Sequence, residues 1–146
     1  MNKINKRMPP IVRLALGAVF FVFGLNGFLH FLPTPPMPEG AAHFAGALAA
    51  TGYMFPLVKG IEVVAAVMLL SGRLVPLALT LLAPIIVNIV LFHVVFQPAW
   101  PMVLYLLGSE IFLAYAYRSA FSGVLNVHAQ PDVAEERSSA RLAHAS

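Results

Sequence analysis

The sequence predicts an all-α integral membrane protein: a four-helix bundle with both termini cytoplasmic and a short extra helix in its first outer loop. Three observations predict it. Of 146 residues, 60% are hydrophobic and only 10% are charged, whereas a water-soluble domain carries about 25% charged residues. The apolar residues gather into four long runs separated by Pro, Gly and charge. The basic residues fall at alternate ends of those runs, as the positive-inside rule requires when both chain ends share one side.

Residues 1–10 form a basic N-terminal tail, with Lys3, Lys6 and Arg7 followed by the stiff pair Pro9-Pro10. The first span, 11–32, makes a helix of about 33 Å at about 1.5 Å per residue, enough to cross. It is longer than a signal-peptide core, and its exit, Phe28 to Pro33, lacks the small-residue cleavage pattern. Phe23, Asn26, Gly27 and His30 share one face of this helix. Gly17, Gly24 and Gly27 remove bulk and let another helix approach.

Pro33, Pro35, Pro36 and Pro38 cannot continue a helix, because each lacks an amide donor and clashes with the preceding turn. The segment 39–51, Ala-rich and stopped by Gly52, predicts a helix too short to cross. It is expected to lie on the outer surface, anchored by Phe44, Leu48 and Tyr53.

The second span, 55–72, carries Lys59 and Glu62 as i, i+3 neighbours able to pair. Ala65 and Ala66 permit close packing beyond them, and Ser71-Gly72-Arg73 is a tight polar turn. The third span, 75–96, contains Pro84, which removes the hydrogen bond to the Thr80 carbonyl. A kink is expected there, repaired by the Thr80 hydroxyl, Asn88 or a neighbouring helix. His93 lies about 140° around that helix from Asn88, so the two need not face one cavity. After the turn at Gln97–Pro101, with Trp100 at headgroup level, the fourth span, 102–118, carries Glu110 near its middle. Residues 122–146 read as a polar, flexible C-terminal tail. The membrane domain proper is 11–121.

The four spans carry few polar groups, and most of these sit in one half of the membrane. Measured from the outer boundary, Lys59, His30 and His93 come out at about 3–6 Å, Asn26 at about 9 Å, and Glu62, Asn88 and Glu110 at about 10–12 Å. Such residues in lipid normally face a bundle interior and find partners there. These seven therefore predict a polar pocket opening toward the periplasmic side and sealed below by aliphatic side chains, which disfavours a continuous pore. Glu62 has Lys59 beside it, whereas Glu110 has no basic neighbour one turn away. Glu110, with Glu62 behind it, is the candidate proton-exchanging group. A purely structural reading stands beside this one: a Lys59–Glu62 ion pair, with Glu110 bonded to Asn26 or His30, fixing helix register.

Several chemistries are excluded or disfavoured. The chain has no Cys, so disulfides, thiol relays and thiolate metal sites are absent. There is no phosphate loop, and no Ser nucleophile with its own base, so no self-contained catalytic motif is present. His30 and His93 could be axial haem ligands, or join Glu62 and Glu110 around a metal, but no Glu-x-x-His spacing supports that. No cofactor is specified by the residues. The formal charge of +3 is scattered at membrane edges rather than drawn into a stripe, which discards nucleic acid as a partner. A proton-coupled solute carrier is a further reading, without the inverted repeat or paired broken helices that would favour it.

The chain resembles the DoxX-like family of small four-span bacterial and archaeal membrane proteins. The features that carry the resemblance run from Arg13 to about Phe121: Arg13-Leu14-Ala15-Leu16-Gly17 opening the first span, Gly24 late in it, Lys59 and Glu62 before an apolar run to Gly72, then Asn88 to His93. The stretch from Asn26 to Glu39 looks like a subgroup of that family. The resemblance implies a bacterial inner-membrane location and a membrane-linked redox role. Relatives include subunits that couple thiosulfate oxidation to quinone, and others associated with membrane oxidoreductases. Gly27 stands where many relatives carry Lys, and His30 is used instead. What transfers is therefore the fold and a quinone or redox association, not sulfur oxidation. The expected partners are the lipid bilayer, membrane oxidoreductase subunits and further copies of the chain.

Overall fold

A computed structural model describes residues 6–33 and 35–124. The architecture is all-helical, with helices α1 (Met8–Leu29), α2 (Glu39–Ala50), α3 (Met54–Ser71), α4 (Val75–Val95) and α5 (Trp100–Ala116), then a 3-10 turn at Arg118–Phe121. Three of these, α1, α3 and α4, are long and apolar enough to cross a membrane. The fourth apolar helix, α5, has 17 residues, or about 26 Å of rise against about 30 Å of hydrocarbon.

Helix α1 begins before the predicted span, because Pro9 and Pro10 occupy its first turn, where a missing N–H costs nothing. It also ends earlier than predicted. His30 adopts the left-handed conformation (φ 50°) and gives its N–H to the Asn26 carbonyl, a cap that terminates the helix at Leu29. The remaining helix bounds fall within about two residues of the sequence expectation. The predicted C-terminal tail lies outside the described residues from 125 onward, as do residues 1–5 of the N-terminal tail.

Helix α1 packs on α3, α3 on α4, α4 on α5, and α5 returns to α1, closing a four-helix ring. Its interior is aliphatic: Leu16 and Phe20 meet Ala65, Ala66 and Leu69, with Leu79, Leu82 and Ile86 from α4 and Leu106 and Leu113 from α5. The outside is apolar too, up to Leu104 at 68% exposure. A helix hydrophobic on all faces suits a bilayer rather than water.

The seam between α1 and α3 is the closest in the ring, and the glycines explain it. A Cβ on Gly17 would sit 3.1 Å from Leu69 Cβ, and one on Gly24 would sit 3.3 Å from Glu62 Cβ. At Gly27 it would collide with Lys59 Cγ. At the other end of α3, Gly72 (φ 73°) faces the Arg13 guanidinium, which occupies the space a Cβ would need. Arg13 thus lies at the C-terminal end of α3, where helix carbonyls favour a cation.

Helix α4 runs through Pro84 without a break. Two of the three expected repairs are not made: the Thr80 hydroxyl donates to the Pro76 carbonyl at 2.9 Å, and the Asn88 carboxamide has no hydrogen-bond partner among the described residues. Helix α2 packs on α3, and its Phe44 ring lies 5.8 Å from Phe92 of α4 and 5.5 Å from Phe96, the residue that caps α4. Of the anticipated anchors, Phe44 thus meets an aromatic cluster.

Candidate functional site

The centre of the site is the Lys59–Glu62 pair. One helical turn separates the two residues, and Lys59 Nζ donates to Glu62 Oε2 at 2.8 Å. Glu62 is 2% exposed, whereas the Lys59 side chain is 23% exposed, so the carboxylate points inward and the lysine reaches along the seam. Gly24 and Gly27 form the wall above them. Any side chain at Gly27 would displace the Lys59 stem, so this glycine is the seat of the lysine.

Glu110 approaches from α5, which is not adjacent to α3 in the ring. Leu106, Glu110 and Leu113 share one face of α5, and all three are buried. Glu110 is 8% exposed, and its Oε2 is buried with no hydrogen-bond partner. It is not bonded to Asn26 or His30, as the structural reading required. Buried polar atoms in native proteins are almost always satisfied. This carboxyl oxygen is therefore an open acceptor in an aliphatic layer.

Nothing bonds Glu110 to the Lys59–Glu62 pair, and the other sequence-predicted residues join neither. Asn26 is partly buried, and its Oδ1 accepts the Leu32 N–H at 2.7 Å, which reinforces the α1 cap. His30, exposed, is the cap residue itself. His93 is partly buried and its Nδ1 donates to the Ile89 carbonyl of its own helix at 2.7 Å, with its ring edge-on to Phe92 at 5.2 Å. Asn88 is exposed, on the side of α4 opposite the core residues Leu79, Leu82 and Ile86. The single chamber expected for all seven residues is thus reduced to a paired lysine and glutamate on one helix and an unpaired glutamate on another. The reason is local competition: Asn26 and His93 satisfy themselves on nearby backbone. Among the described residues, no three His, Cys, Asp or Glu side chains come together as a metal set.

Two features escaped the sequence reading. A groove of about 290 Å³ opens between α1 and α5, lined by Met8, Val12, Leu104, Tyr105, Gly108, Ser109 and Phe112. Ser109, the chain neighbour of Glu110, is buried at its wall. The only signal for it was a Gly108-Ser109 pair next to the intramembrane carboxyl. The second is Arg13, whose buried Nε has no hydrogen-bond partner. Comparisons with protein-family models, curated proteins and solved structures return no match.

Proposed function

We propose that the chain is a DoxX-like protein of the bacterial inner membrane with four spans, α1, α3, α4 and α5, and both termini cytoplasmic. In this reading α2 rests on the periplasmic surface. The protein is a non-catalytic accessory subunit of a membrane redox system that holds a quinone headgroup, or a similarly small protic molecule, at Lys59, Glu62 and Glu110. The observation that carries this reading is the buried, unpartnered Oε2 of Glu110. An acceptor held dry and open in an aliphatic layer costs stability, and functional sites are where such costs are retained.

The residues suit such a guest. A quinol hydroxyl can donate to Glu110, and Lys59 Nζ has donor hydrogens beyond the one given to Glu62. The α1–α5 groove is apolar and would admit a lipid-soluble molecule beside Ser109, the chain neighbour of Glu110. A quinone bound there would supply two-electron, two-proton capacity to a partner subunit. The chain's own residues orient the headgroup and exclude water from it.

The test is purification in native lipid, followed by extraction and mass spectrometry. Wild type is expected to retain a quinone above its ratio in bulk lipid, and Glu110→Leu and Lys59→Met to lose it. Equal ratios in all three would sink the proposal. A second reading, an assembly subunit without a ligand, draws on Asn26 and His93 bonding only their own backbone. It requires that phenotypic loss in these variants track protein level.

Topology has its own test. With no native Cys, single cysteines at Thr51 and Arg73 should label from opposite sides of the membrane with an impermeant reagent.

A further inference from the structure

The face of α4 turned away from the core carries Leu77, Leu81, Pro84, Asn88, Leu91 and Val95, all exposed except the half-buried Leu81. Their spacing alternates four and three residues, the heptad pattern of a helix that packs against a second helix along one seam. Among the described residues α4 meets α3 and α5 on its other sides, and the Phe44 ring of α2 lies on Phe92 and Phe96, beyond Leu91 toward the end of the stripe. Asn88 sits in the middle of the stripe, with no hydrogen-bond partner among the described residues. It lies about 10 Å inside the outer end of α4, a depth at which no water reaches a lipid-facing carboxamide.

We propose that this stripe is the interface of a homodimer, formed by α4 against α4 of a second copy, with the two Asn88 side chains hydrogen-bonded to each other. Three features select a second copy as the occupant. A carboxamide offers both donor and acceptor and is its own complement, unlike a charged group, which demands a different partner. All copies share one orientation in the membrane, so a two-fold axis along the bilayer normal sets the two α4 helices parallel and brings each heptad position against itself. In a parallel pair, one polar residue at a heptad core position fixes register and oligomer state, and the stripe has one. Beside it, a groove lined by Pro56, Leu57, Gly60, Ile61, Val64 and Leu81 shares Leu81 with the seam, and gives the partner's aliphatic side chains a recess.

The inference rests on the bilayer placement proposed above but not on the ligand. The full chain, labelled once per protomer and diluted into phosphatidylcholine and phosphatidylglycerol vesicles, is examined by photobleaching steps. Wild type should show dimers, and Asn88→Leu should weaken dimerisation about three- to thirty-fold, the range of an interhelical hydrogen bond in a membrane. Leucine on a lipid-facing position leaves the protomer fold intact, so the loss reads association alone. Against the Cys-free background, Leu91→Cys and Val95→Cys should cross-link under mild oxidation, and Ile111→Cys on α5 should not.

Monomers at every dilution, an Asn88→Leu variant that dimerises like wild type, or cross-linking through Ile111→Cys would each overturn the proposal. Release of the chain from membranes by alkaline washing would overturn both this inference and the bilayer placement. A monomer that stays in the membrane overturns the dimer alone.

Discussion

Replacing Glu110 by leucine should make the protein more stable while removing its ligand. The carboxyl lies between Leu106 and Leu113 on the core face of α5, and its Oε2 has no hydrogen-bond partner. An unsatisfied buried polar group costs about 1–3 kcal/mol. Leucine is close to glutamate in size, removes that penalty and adds aliphatic contact to a layer that is already aliphatic. The net expectation is a gain of about 1–3 kcal/mol, a shift of about five- to 150-fold in the unfolding equilibrium. Reversible unfolding in mixed micelles titrated with a denaturing detergent measures it, with Glu110→Gln as the companion. Glutamine keeps the shape and leaves polar atoms unpaired, so it should lie within about 1 kcal/mol of wild type. If leucine instead destabilises by more than about 1 kcal/mol, Glu110 has a structural partner and the open-acceptor argument fails.

Four further outcomes follow from the geometry. Lys59→Met alone leaves the Glu62 carboxylate buried and unpaired, and should cost up to about 3–5 kcal/mol; the double variant Lys59→Met with Glu62→Leu should recover most of that in the same titration. Gly27→Val drives a side chain into the Lys59 stem and should cost about 1–3 kcal/mol, partly relieved when Lys59 is shortened to Ala. Gly72→Ala forces a left-handed residue to carry a Cβ against Arg13, a loss of at least about 1–2 kcal/mol. His30→Gly relaxes the positive φ of the α1 cap and should stabilise by about 1 kcal/mol; a large loss would mean that the imidazole makes a contact that the cap role does not require.

Helix existence and type were legible in the sequence because four apolar runs, punctuated by Pro, Gly and charge, leave few alternatives. The glycine spacing on α1 correctly pointed to a close helix seam, and the i, i+3 offset of Lys59 and Glu62 to a pair. Rotation about a helix axis was not readable. Asn88 and Glu110 come out at similar depth, yet one faces away from the bundle and the other into it. In a helix apolar on every side, polarity carries no signal for which side is the core. Local bonding was the second blind spot. Asn26 and His93 looked like free pocket residues because sequence spacing does not show that a carboxamide or an imidazole will fold back onto backbone a turn away.

In the four-span reading proposed above, Glu62 and Glu110 enter the membrane under different conditions. Glu62 travels with its counter-ion one turn away in the same segment, so that stretch can leave the translocon as a formally neutral unit, with no other helix in place. Glu110 has no such companion, and its helix is also the shortest of the four that form the ring. In that reading its arrival depends on a scaffold of α1, α3 and α4 already assembled to receive it, which makes α5 the step at which biogenesis can stall and quality control can act.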